Sequence, residues 1–376
     1  MSSTTATSTN STAANPAAAT STANPAAAIP APDSAITIGV DIGGTKIAAG
    51  AVTADGTILE RLRVPTPTES GAAIAAAVSD LVRRLTSNLG TPASSATPAT
   101  SSVTPASTPT AVGIGSAGFV GADRNTISFG PNNPWHGERL GSLVSEGTGL
   151  PVVVENDANA AAWGEYRFGA AAGSRSAVVV TLGTGVGGGV ILDGQLIRGA
   201  NGFAGEIGYI TLSENGPLCG CGRRGCWDMM GSGRALIRYA TDRLAANPAA
   251  GRRVLELSGV TEPLAEIPTP SPIKGTAITA AATEGDPLAL GAFADLGHWN
   301  TRGIATLVAM VDPEVVVLAG GVAEAGRVVL DPVVAGLPAE LPATEFRTLP
   351  SVRLATLGND AGLVGAADLA RSALAR

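Results

Sequence analysis

Asn156 and Asp157 follow a run with the character of a buried strand, Pro151-Val152-Val153-Val154-Glu155, and precede a segment of helical composition, Ala160 to Phe168. An acid where a strand stops and a helix starts can do two kinds of work. It can cap the helix, because Asp accepts from the unpaired N–H groups of a first turn. It can also stand at the mouth of a cleft and take a hydroxyl proton while phosphate is transferred. The two roles can coexist, and spacing alone leaves both open.

Phosphate chemistry needs close backbone approach, and only glycine lets successive N–H groups converge without a Cβ in the way. Three segments offer it: Asp41-Ile42-Gly43-Gly44-Thr45-Lys46, Leu182-Gly183-Thr184-Gly185 and Gly320-Gly321. Each could be a tight turn and nothing more. The first also carries Asp41, an oxygen donor able to hold Mg²⁺ through water. Gly183 to Gly188 fits the spacing of a dinucleotide fingerprint, but that motif requires a helix after the glycines. Here Gly189-Val190-Ile191-Leu192-Asp193-Gly194 reads as a strand running into a hairpin turn, which excludes a Rossmann dehydrogenase. A Walker A loop is absent as well.

Cys219, Cys221 and Cys226 are the chain's three cysteines and fall within eight residues. They supply three soft ligands where a structural Zn²⁺ takes four, or they form a set of inert buried thiols. An odd, tightly spaced set does not staple a fold and suggests a reducing compartment, so a cytoplasmic location is expected.

The elements that position these groups are readable. Ile36–Ile42, Lys46–Val52 and Thr57–Val64 read as three strands joined by a tight loop and an Asp55-Gly56 turn. Ala72 to Asn88 reads as a helix with Ile74, Val78, Leu81, Val82 and Leu85 on one face. The opening recurs as Ala177–Leu182, the Gly183-Thr184-Gly185 loop, Gly188–Leu192, Asp193-Gly194 and Gln195–Arg198. A repeated unit implies two related α/β domains with their glycine loops turned into one cleft.

With 376 residues, 45% hydrophobic and 15% charged, the chain can bury a core in each of two domains. A net charge of −7 and an aromatic content of 3% argue against a nucleic-acid partner. No run reaches the roughly 18 apolar residues of a membrane span. Residues 1–33, almost entirely Ala, Ser, Thr, Pro and Asn, are expected to be a disordered tail. Residues 91–110 are expected to be a low-complexity insertion, and a Pro-rich loop covers about 262–272. The expected domains are 34–152, completed by a C-terminal helix over 359–376, and 153–358, which contains the Cys-rich loop 205–228.

Together these motifs resemble the ROK family of sugar kinases, most closely its actinobacterial glucokinases. Asp41 to Lys46 matches the first phosphate loop, Leu182 to Gly188 the second, and Ala319-Gly320-Gly321-Val322 the adenosine segment. Glu155 to Tyr166 and Leu357-Gly358-Asn359-Asp360-Ala361-Gly362-Leu363 match the glucokinase subgroup. The resemblance implies an actin-like duplicated ATPase clamp, ATP and Mg²⁺, a structural Zn²⁺, and a homodimer or dimer of dimers. It implies Asp157 as the base toward the sugar 6-hydroxyl. Asn132, Asn156, Asp157 and Glu206 would bind the pyranose, with Ala117-Gly118 lining the pocket. Asp41 would help hold Mg²⁺, while Gly43, Gly44, Thr45, Lys46, Gly183, Thr184 and Gly185 would hold phosphates. Gly320 and Gly321 would lie on the adenosine. The cysteines would hold the zinc.

Two positions depart from the family. Tyr209 stands where the family has a His that ligates zinc and touches the sugar, and Asp228 stands where it has a Glu that touches the sugar. A phenol is a poor zinc ligand near neutrality, and Asp228 is one methylene shorter. The expected activity is ATP-dependent phosphorylation of a hexose 6-hydroxyl, with glucose first. A kinase for another hexose or N-acetylhexosamine and a sugar-binding pseudokinase are the alternatives. ROK repressors carry a helix-turn-helix before the first loop, and the Ala/Ser/Thr segment here has no basic helix.

Overall fold

A computed structural model describes residues 35–90, 108–130, 135, 137–260 and 271–374. The expected tail, most of the insertion and most of the Pro-rich loop lie outside them, as do Asn132 and His136.

The first lobe runs β1 (Thr37–Ile42), β2 (Lys46–Val52), β3 (Ile58–Pro65), α1 (Gly71–Leu89), β4 (Val112–Ser116), a small hairpin of β5 (Phe119–Val120) and β6 (Ile127–Phe129), α2 (Leu140–Thr148) and β7 (Val152–Asn156). Helix α3 (Asp157–Phe168) leads into the second lobe. That lobe contains β8 (Ala177–Leu182), β9 (Val186–Leu192), β10 (Gln195–Leu196), α4 (Trp227–Gly231), α5 (Gly233–Ala246), α6 (Arg252–Ser258), α7 (Gly275–Thr283), α8 (Pro287–Val311), β11 (Val315–Ala319), α9 (Arg327–Glu340) and β12 (Ser351–Leu354). Helix α10 (Ala361–Leu374) closes the chain.

The internal repeat is a repeat of topology. One sheet has the order β3-β2-β1-β4-β7 and the other β10-β9-β8-β11-β12. In each, the first three strands in sequence are antiparallel and the last two join in parallel. The Asp-Gly turns fold as read: Asp193, Gly194 and Gly56 all take positive φ, as tight hairpins need.

The expected boundary at 152/153 falls inside β7, which pairs along its whole length with β4. Its Val-rich run belongs to the first sheet, and the crossing to the second lobe comes one step later, at α3. Helix α10 returns to the first lobe. Its Leu363 and Ala366 carbonyls press so closely on Gly39 and Gly113 that a Cβ there would stand 2.0 and 1.8 Å from them. Glycine at those two strand positions therefore permits the helix to lie on the sheet. Arg371 fixes the contact, bonding the Thr37 hydroxyl at 2.7 Å and the Val52 carbonyl at 2.9 Å and pairing with Asp368.

Each lobe has its own core. Ile38, Val40 and Ile42 pack with Ile74, Val78, Leu81 and Leu85 of α1, which is the helical face read from sequence. Val178, Val180, Val316 and Leu318 pack with α5 and α8. A third cluster, including Trp163, Val179, Val317 and Leu369, joins α3 and α10 to the second sheet.

Candidate active site

Parallel pairing puts the ends of β1, β4 and β7 side by side. Ile42 is registered with Ser116, and Ser116 with Asn156. The residues that follow, Gly43, Ala117 and Asp157, therefore leave the sheet together at its carboxyl edge, where open α/β sheets place ligands. Thr181 is likewise registered with Ala319, so the loops at Gly183 and Gly320 leave the second sheet together.

Both glycine loops are tight hairpin turns. Gly43 N–H donates to the Lys46 carbonyl at 3.0 Å, and Gly183 N–H to the Gly185 carbonyl at 2.9 Å. Gly44, Thr45, Lys46 and Thr184 are exposed at the tips. Gly320 takes φ +86° and lies against the end of β8, where Val322 N–H donates to the Leu182 carbonyl at 2.9 Å.

The capping question has a clear answer. Asn156, in extended conformation, caps α3 by accepting from Asn159 N–H at 3.0 Å. Its amide nitrogen donates to the Gly118 carbonyl at 3.2 Å, tying the Ala117-Gly118 loop to the helix start. Asp157 is the first helical residue, and its carboxylate accepts from the N–H of its neighbour Ala158 at 2.9 Å. It is thus free of the cap. Burial raises its pKa against the lowering effect of that N–H.

Two more carboxyls share this field. Glu206 is pushed up to about 7, first by burial and then by the charge of Asp157. Asp41 is pushed up to about 6 by burial and by Asp157, against the pull of Lys46. Three acids from three segments thus meet with too little positive charge among them. That is the electrostatic setting a divalent cation relieves.

The three thiol sulfurs lie within 4.8 Å of one another, with Cys221 and Cys226 Sγ 3.5 Å apart. Cys226 is buried and its thiol pushed up, while the exposed Cys221 is drawn down by the Arg223 N–H. The set suits a thiophilic ion with one position left over. The Tyr209 ring stacks on Phe119 at 6.3 Å and 12°, and burial followed by Glu206 raises its phenol pKa.

Asp228 comes to the same region with its carboxylate engaged, accepting from Val186 N–H at 2.8 Å and pairing with Arg234 at 2.6 Å. Sequence reasoning missed Arg234 and also Arg198. The latter pairs with the buried Glu155 at 2.7 Å and donates to the Gly121 carbonyl at 2.9 Å. An arginine just after a short strand in an otherwise apolar stretch was the available signal. Its partner is distant in sequence.

Among the described residues no helix is long and apolar enough to cross a membrane. The ROK family model matches residues 37–373. A glucokinase of Streptomyces coelicolor is 44% identical over 339 residues, spanning 89% of this chain and 98% of that protein. The crystal structure of a ROK family glucokinase from Streptomyces griseus in complex with glucose and AMPPNP superposes with a TM-score of 0.76 at 43% identity, covering 89% of this chain and 99% of that one. A ROK hexokinase from Thermus thermophilus superposes at 0.71 with 33% identity, covering 90% and 99%. The fold is thus the actin-like ATPase fold of the sugar kinases, and this chain belongs to the ROK family.

Proposed function

We propose that the protein is an ATP-dependent glucokinase that transfers the γ-phosphoryl group to the 6-hydroxyl of glucose. The observation that carries this reading is the mounting of Asp157. It is a partly buried carboxylate, spared from capping, at the crossing between the lobes and beside the edge where the first glycine loop emerges. The likeness to glucokinases over nearly nine-tenths of the chain supports it.

Asp157 accepts the hydroxyl proton as the bond to phosphorus forms, and a pKa raised by burial makes it a stronger base than a solvated carboxylate. Glu206, pushed up to about 7, can donate as well as accept at neutral pH, which suits a sugar hydroxyl that does both. Asn156, the Ala117-Gly118 backbone, Tyr209 and Asn132, the last outside the described residues, complete the sugar side. On the donor side, N–H groups of Gly43, Gly44, Gly183 and Gly185 and the side chains of Thr45, Thr184 and Lys46 hold phosphate oxygens. Gly320 and Gly321 leave room for the adenosine. Asp41 holds Mg²⁺, which offsets phosphate charge when bound. Closure of the lobes keeps water from Asp157.

Cys219, Cys221 and Cys226 hold a structural Zn²⁺ that fastens the segment between Glu206 and Asp228. The free thiols fit work in the reducing cytoplasm, and a homodimer is the proposed assembly. A second reading, another hexose or N-acetylhexosamine as acceptor, is favoured by the Tyr209 ring lying on Phe119 at the sugar side. ADP release measured across glucose, mannose, N-acetylglucosamine, N-acetylmannosamine and fructose, with ATP and polyphosphate as donors, decides between them. Glucose with ATP is expected to give the highest kcat/KM, and a preference of tenfold or more for another sugar overturns the assignment.

A further inference from the structure

Asp228 and Arg234 sit under the second glycine loop, hold it at two points and are paired with each other. Asp228 Oδ1 accepts from Val186 N–H at 2.8 Å, directly after Gly185. Asp228 Oδ2 pairs with Arg234 at 2.6 Å. The same guanidinium donates through Nε to the Thr184 carbonyl at 3.1 Å. Gly233, next in the chain to Arg234, adds a third tie to the loop, its N–H donating to the Gly183 carbonyl at 2.8 Å. Every residue of Gly183-Thr184-Gly185-Val186 is therefore bonded to, or packed on, the segment 228–234. A Cβ on Gly185 would stand 2.5 Å from Asp228 Oδ1, so the carboxylate lies flush against the loop.

We propose that Asp228, with Arg234, is a positioning residue for the phosphate-donor half of the site and not a sugar ligand. The inference rests on reading Gly183-Thr184-Gly185 as a loop for the donor phosphates. Both oxygens of Asp228 are already bonded, and the carboxylate is mostly buried, with 14% of the side chain exposed. Moving it to a sugar hydroxyl would leave Val186 N–H and the Arg234 charge without their partner. A loop with fixed N–H groups needs no reorganisation when phosphate charge arrives, so the brace acts on nucleotide affinity and turnover. Arg234, with 56% of its side chain exposed, also leaves a positive face beside Thr184.

The test separates the two substrates. Asp228→Ala, Asp228→Asn and Arg234→Met are measured by steady-state kinetics with each substrate varied in turn, and by calorimetric titration with a non-hydrolysable ATP analogue. Asp228→Ala and Arg234→Met are expected to weaken nucleotide binding and raise KM for ATP roughly tenfold. KM for glucose should stay within about twofold, and Asp228→Asn, which can still accept from Val186 N–H, should recover most of the loss. A rise in KM for glucose with ATP affinity unchanged overturns the inference and leaves the kinase assignment intact. Wild-type protein that binds no nucleotide overturns both.

Discussion

Arg198 Nε lies 2.7 Å from Glu155 Oε2, and this ion pair joins the lobes beside the start of α3, where Asp157 stands. Glu155 is the last residue but one of β7 in the first sheet and is 1% exposed, while Arg198 follows β10 of the second and is 11% exposed. The same carboxylate accepts from Asn156 N–H at 3.0 Å and from the Asn159 amide at 3.3 Å. The Arg198 carbonyl accepts from Ala204 N–H at 3.0 Å, two residues before Glu206. One buried pair thus fixes the start of α3 and the approach to Glu206.

Removing Arg198 leaves the buried Glu155 carboxylate with the longer Arg124 pair at 3.6 Å. Arg198→Met is expected to lose about 1–3 kcal/mol in urea unfolding. The double variant Glu155→Gln with Arg198→Met should recover a large part of that loss. A single variant within about 0.5 kcal/mol of wild type would show the pair to be incidental.

The raised acids give stability a pH dependence of definite sign. Glu206 goes from an ordinary 4.5 to about 7, and Asp41 from 3.8 to about 6. Between those values the folded chain holds protons that the unfolded chain has released. Ligand-free protein should therefore lose stability as pH rises from about 4 to about 7, and this contribution should be flat above that. Thermal midpoints at constant ionic strength test it against Glu206→Gln, which should show a shallower fall. Identical slopes would mean that Glu206 titrates normally.

Helix α10 can be tested through one strand glycine. Gly113→Ala puts a methyl 1.8 Å from the Ala366 carbonyl, and backbone cannot yield as a side-chain tip can. A loss of about 3 kcal/mol or more is expected, while Gly44→Ala, with open space at its Cβ, should cost less than about 1 kcal/mol. Equal costs would contradict the docking of α10 on β4.

The thiol cluster predicts about one Zn²⁺ per chain by elemental analysis, removable by mild chelation because three thiolates leave a position to water. Tyr209→His should slow its removal. Protein metal-free as isolated from zinc-supplemented medium would remove zinc from the account.

The three antiparallel strands that open each sheet and both glycine loops were legible in the sequence because strand patterning and Asp-Gly turns are local, while β11 and β12 of the second sheet were not read. The helix Gly71–Leu89 was legible because its apolar face has a helical period. What escaped was long-range. The division of labour between Asn156 and Asp157 depends on which of two adjacent polar residues takes the extended cap conformation, and either could have. The partners of Glu155 and Asp228 lie across turns or lobes, so no spacing announces Arg198 or Arg234. The domain boundary was misplaced because a Val-rich run reads the same whichever sheet it joins.

The central claim is that Asp157 takes the proton from the acceptor hydroxyl, and the direct measurement is kcat of Asp157→Asn with glucose and ATP beside the variant's affinity for an ATP analogue. The account predicts a fall in kcat of about 10²–10⁴ with nucleotide affinity within about threefold of wild type. A variant that keeps more than about a tenth of wild-type kcat would contradict it and leave Asp157 as only the first residue of a helix.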